Sequence, residues 1–112
     1  MNLIIFLFLS TAILGVYLFL PVIKKRKAPR IAIYSHGTFA IVSVFFLTKS
    51  YLYEGGIHVA TMVLFALAAV HGLYMFFLSE IVKRPIPGAV LILHANLAAI
   101  AFISLIYQVW FA

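Results

Sequence analysis

Apolar residues run almost unbroken through four stretches, about residues 3–23, 31–51, 57–82 and 89–111, and polar residues gather between them. Each stretch is long enough to cross the ~30 Å hydrocarbon core of a bilayer as a helix of ~20 residues. No stretch alternates with period two, so barrel strands have no support. Pro21 loosens the last turn of the first helix. The breaks carry turn chemistry: Pro29 after a basic run, Tyr53-Glu54-Gly55-Gly56, and Lys83 to Gly88 with Pro85 and Pro87. Short connections favour antiparallel neighbours. The pattern predicts an all-α integral membrane protein, one domain over residues 1–112, wound as an up-down-up-down four-helix bundle.

Charge adds orientation. The chain has eight Lys+Arg and two acidic residues, Glu54 and Glu80, for a formal net charge of +6. Lys24, Lys25, Arg26, Lys27 and Arg30 occupy one turn, and Lys83 and Arg84 another, leaving only Lys49 elsewhere. Basic residues concentrated in short turns mark the cytoplasmic side rather than a nucleic-acid surface. Both termini and the Tyr53–Gly56 turn are then expected outside, as for a bacterial inner-membrane protein. Tyr51, Tyr53, Tyr107 and Trp110 would form an aromatic belt at that outer edge. The N-terminal run lacks a basic leader region and a small-residue cleavage site before Lys24, so it reads as a retained helix. There is no cysteine, which excludes disulfides, thiolate nucleophiles and cysteine-held clusters.

The polar residues inside the spans carry the chemistry. His36 and His94 each stand seven residues after a proline that closes a basic turn, Pro29 and Pro87. Helices two and four run in the same direction, so both imidazoles are expected ~10 Å below the cytoplasmic face. The two halves look duplicated on this evidence, as parallel repeats about an axis along the membrane normal. Diagonal helices in such a bundle have axes roughly 11–14 Å apart, a gap suited to a flat ligand ligated through both faces, such as haem. Gly37, Ala40, Ala98 and Ala101 would leave room for the macrocycle. The competing reading of these small residues is simple close packing of membrane helices. Arg30, Lys83 and Arg84 would meet propionates directed at the cytoplasm.

His71 is expected near the midplane, ~18 Å from the inner face and about 8 Å deeper than the pair. It would serve a ligand or a proton relay, or bond across the bundle to Ser43, Ser10 or Thr11. His58 begins the third helix at the outer surface, beside Gly55-Gly56. Separated by ~20 Å on one helix, His58 and His71 cannot share an iron. A second haem would need one of them with a partner from elsewhere. Asn96, Gln108, Ser35, Thr38 and Ser43 read as interhelical hydrogen-bonding groups, and Glu80 as a surface partner of Lys83 and Arg84. No phosphate-binding glycine loop, paired intramembrane carboxylates or nucleophile–base motif occurs.

With histidines on its second and fourth helices, the chain resembles the small transmembrane cytochromes b. The resemblance implies a four-helix core, one haem b held by His36 and His94, and electron exchange with a quinol or another small donor. It also implies a possible setting beside other membrane subunits or a second copy. Many members hold two haems with four ligands; this chain has no histidine on its first helix. Two other classes stay open: copper or zinc held by His36, His71 and His94, and a cofactor-free assembly subunit.

Overall fold

A computed structural model describes residues 1–111 of the chain. Four helices form: α1 over Asn2–Ile23, α2 over Arg30–Tyr53, α3 over Val59–Phe76 and α4 over Gly88–Trp110. A π turn, Phe77–Val82, continues α3 to the second basic turn. Counting that turn, the helices are 22, 24, 24 and 23 residues long, each apolar and long enough to span a membrane. Pro29 and Pro87 stand as N-caps with extended backbone, and α2 and α4 begin on the next residue. This is where proline's fixed φ and missing N–H do no harm.

The molecule measures 40 × 24 × 21 Å. At 1.5 Å per residue the helices are ~33–36 Å long, so they run along its long axis. α1 packs against α2 and α4, and α3 against α4 and α2. Among the described residues, α1 and α3 make no close backbone approach, and neither do α2 and α4. Each of those pairs therefore faces across the interior.

Burial splits the interior into two levels. The N-terminal halves of α1 and α3 and the C-terminal halves of α2 and α4 share a packed core of Ile4, Ile5, Phe8, Leu47, Ile57, Phe65, Ala101 and Leu105. At its centre Phe8 and Phe65 stack with centroids 4.2 Å apart. Beside it Gln108 donates to the Thr61 and Ser104 hydroxyls and to the Ser104 carbonyl, while its Oε1 accepts from the His58 N–H at 2.8 Å. That clamp ties α3 to α4 at the end away from the basic turns. All four helices also carry exposed apolar side chains, among them Val16, Ile31, Val70 and Ile103. A surface apolar on every side requires a covering, and lipid supplies one.

The basic end is tied across the two hairpins. The Lys25 ammonium donates to the Ile86 carbonyl, and Arg30 Nε lies 3.9 Å from a Glu80 oxygen. Glu80 thus meets Arg30 of α2, not Lys83 or Arg84 as its neighbours in sequence predicted. Lys25 and Lys83 both take the left-handed conformation, at φ 58° and 62°. Lys25 stands two residues past the end of α1, and Lys83 caps the π turn.

Candidate functional site

His36 and His94 meet at the level just inside the stacked phenyl rings. Their ring centroids are 6.4 Å apart and their planes nearly perpendicular, at 82°. Each ring is held by the opposite helix of its own hairpin. His36 Nδ1 lies 2.9 Å from the Thr11 carbonyl on α1, and His94 Nδ1 lies 2.8 Å from the Ala68 carbonyl on α3. A carbonyl oxygen only accepts, so Nδ1 carries the proton in both rings. In the neutral imidazole the lone pair is then on Nε2, the form that ligates a metal.

Glycine makes each contact possible. A Cβ on Gly15 would stand 3.0 Å from His36 Cε1, and one on Gly72 would stand 3.2 Å from His94 Cε1. Gly15 and Gly72 lie one turn beyond Thr11 and Ala68. The carbonyl and the bare Cα therefore present one helix face to the imidazole. Neither glycine stands out in the sequence as a site residue. The signal that would have found them is positional: Thr11 precedes His36 by 25 residues and Ala68 precedes His94 by 26.

The duplication runs through the interior. Phe8 pairs with Phe65 and Leu18 with Met75, all four buried; Leu47 and Leu105 are both fully buried. Phe8 and Phe65 lie one turn before the carbonyls, and Leu18 and Met75 one turn after the glycines. The imidazole pair thus sits between an aromatic layer and an aliphatic one, both made of matched residues. The two outer grooves match as well. One is lined by Ile13, Leu14 and Tyr17 of α1 with Ile31, Ala32 and Ser35 of α2. The other is lined by Val70, His71 and Tyr74 of α3 with Ala89, Val90 and Leu93 of α4.

His71 does not join the pair. It lies in the outer groove between α3 and α4, with Nδ1 2.8 Å from the Leu67 carbonyl of its own helix. The expected bond to Ser43, Ser10 or Thr11 is not made; Ser43 instead donates to the Phe39 carbonyl. Its expected depth is also corrected. Residue 71 falls between Ala68 and Gly72, which flank the His94 ring, so it is level with the pair rather than about 8 Å deeper. Among the described residues no three His, Asp or Glu side chains gather as a metal site. His36, His71 and His94 therefore do not converge on one ion.

The remaining residues divide. Ala101 is fully buried in the packed core, and Ala40 and Ala98 are half-buried. A Cβ on Gly37 would meet no atom within 4 Å, so that residue does not pack against the imidazoles. Arg30 and Arg84 are exposed at the basic end, and Arg30 is engaged by Glu80. His58 is exposed at the opposite end as the N-cap of α3. Asn96 and Thr38 face outward.

In comparisons with known proteins, no family model, no curated protein and no solved structure matches this chain.

Proposed function

We propose that the chain is a b-type membrane cytochrome that holds one haem between α2 and α4 through His36 and His94. One observation carries this reading: two imidazoles lie side by side, edge to face, with both Nδ1 atoms donating to backbone carbonyls, which leaves a lone pair on each Nε2. The two ring centroids stand 6.4 Å apart, so the residues that would hold the group are already neighbours. Gly15 and Gly72 leave bare backbone beside the pair where any side chain would intrude.

Bound haem would supply a one-electron couple. The protein's own part is positional and electrostatic. The Thr11 and Ala68 carbonyls fix the tautomer, orient both rings and raise the basicity of Nε2. The Phe8–Phe65 stack closes the site toward the outer surface, and Leu18 and Met75 shield it toward the inner one. Arg30 and Arg84, with Lys83, supply the positive charge at the basic end that propionates would seek. In this reading the helices run up-down-up-down in a bacterial inner membrane, basic turns in the cytoplasm and both termini outside. The electron partner is a lipid-soluble quinol or another small redox molecule.

Absorption spectra of protein made with ample haem, oxidised and then reduced with dithionite, test the reading. Wild type should show a low-spin bis-imidazole spectrum, and His36→Ala and His94→Ala should each abolish it. His71→Ala and His58→Ala should leave it in place. A wild type without a Soret band overturns the haem reading, and metal analysis of the same sample then separates a copper or zinc protein from an assembly subunit.

A further inference from the structure

One carboxamide stands on the outer side of the bundle with nothing to bond. Asn96 of α4 is exposed, and among the described residues it meets no hydrogen-bond partner. It lies in a stripe of exposed residues, Ala89, Leu93, Asn96, Ile100, Ile103 and Tyr107, alternately four and three apart. Apolar stripes of this spacing occur on any lipid-facing helix. A carboxamide within one is costly, because acyl chains neither donate nor accept hydrogen bonds.

The same side of the molecule offers an acceptor. His71, on α3, lines the groove beside Ala89 and Leu93. Its Nδ1 donates to the Leu67 carbonyl at 2.8 Å, which leaves a lone pair on Nε2. Asn96 is two residues past His94, so it stands ~3 Å farther from the basic end than the imidazole level. Side chains lean toward the N-terminus of their own helix. Asn96 therefore leans toward the basic end and His71 away from it, which closes that offset.

A two-fold axis along the membrane normal keeps every residue at its own depth and sets α3 of each copy against α4 of the other. Both Asn96–His71 contacts then form at once. A chain of unrelated sequence would have to bring a donor and an acceptor to this one depth, whereas a second copy does so by symmetry. The matched face, between α1 and α2, is unfit for such pairing. It has Leu14 in place of His71, Thr38 in place of Asn96, and exposed Lys49 in place of Tyr107. A threonine hydroxyl can bond its own helix backbone, and a two-fold axis there would bring two Lys49 charges together.

We propose that two copies of the chain pair through the α3–α4 face, parallel in the membrane, with Asn96 of each donating to His71 Nε2 of the other. The pairing stands on these two side chains, independently of haem.

The test is energy transfer between full-length chains in lipid vesicles, labelled at an introduced Ala28→Cys, over a range of protein-to-lipid ratios. Wild type should pair. Asn96→Leu and His71→Leu should each weaken pairing about tenfold, because each removes both reciprocal bonds. Thr38→Leu, at the matched place on the other face, should not. The decisive arm mixes the two variants. An Asn96→Leu chain keeps the acceptor and a His71→Leu chain keeps the donor, so the mixed pair regains one bond. It should associate more tightly than either variant does with itself, a rescue that a merely structural effect would not produce. His36→Ala should leave pairing unchanged, so loss of haem and loss of the interface are read separately. A wild type that stays monomeric at every ratio overturns the proposal, and lipid or another protein then covers the face. Dimers indifferent to both substitutions, or mixed pairs no tighter than the variants alone, also overturn it. Should His71→Leu fail to fold, wild type against Asn96→Leu and Thr38→Leu decides.

Discussion

At the scale of single residues, the most exacting positions are two glycines. Gly15 and Gly72 each face an imidazole edge so closely that a methyl group would displace it. The first contact, at 3.0 Å, is tighter than the second, at 3.2 Å. Each ring is also tethered through Nδ1, so it cannot retreat without lengthening a hydrogen bond. Overpacking of this kind costs ~1–3 kcal/mol in well-filled interiors. On the proposed haem reading, Gly15→Ala and Gly72→Ala should both lower haem retention, Gly15→Ala the more, measured as haem per chain after purification. Gly37→Ala is the internal control: with open space at its Cβ it should retain haem as wild type does. Equal loss in all three variants would indicate a general effect on folding, not a notch for the imidazoles. The histidines stood out in the sequence because an imidazole is conspicuous in a hydrocarbon span. The glycines did not, since a single glycine in a membrane helix is commonplace.

At the scale of elements, one polar tie joins α3 to α4 and another joins the two hairpins, and they should differ in weight. Thr61 is fully buried and accepts from Gln108, which also reaches Ser104 on its own helix and the His58 N–H. Thr61→Val keeps the shape and removes the hydroxyl. Interhelical hydrogen bonds in membrane proteins average ~0.6 kcal/mol and reach ~1.7. A fully enclosed, shared contact belongs near the upper end, so Thr61→Val should destabilise by about 1–2 kcal/mol in mixed-micelle unfolding. The Arg30–Glu80 contact is long, at 3.9 Å, and Arg30 is 71% exposed. Exposed pairs contribute ~0–1 kcal/mol, so Glu80→Gln should change stability less than Thr61→Val does. The reverse order would mean that the exposed tie between the hairpins outweighs the buried one inside the second hairpin. The helix limits could be read from the hydrophobic runs and their prolines. The π turn could not, because Phe77–Val82 contains neither proline nor glycine and reads as a plain continuation of α3.

At the scale of the molecule, the basic turns lie together at one end and the Phe8–Phe65 core fills the other. The proposed orientation puts the basic end in the cytoplasm, on the positive-inside tendency. The chain contains no cysteine, so an introduced one is a clean reporter. Ala28→Cys should react with an impermeant maleimide only when the cytoplasmic face is open to it, as in inverted vesicles. Reaction in intact spheroplasts would reverse the orientation, though not the packing. Leu at Ala101, a fully buried position among Leu47 and Leu105, should destabilise the packed core by ~1–3 kcal/mol. The same substitution at exposed Ala99 should do little.

Four helical spans, their lengths, the proline starts of α2 and α4 and the matched histidines were all legible in the order of residues. Hydropathy is a local property, and a backbone in hydrocarbon must satisfy its own hydrogen bonds, so a long apolar run has few options besides a helix. Which way each helix turns is not local. In a soluble protein the contrast between polar and apolar faces marks the buried side, but here the lipid-facing side is as apolar as the interior. Packing alone decided that Gly15 and Gly72 meet the imidazoles, that the Thr11 and Ala68 carbonyls hold Nδ1, and that His71 turns outward at the level of His94. Those contacts depend on close fit between helices some twenty-five residues apart along the chain, and shape complementarity leaves no periodic trace in the sequence.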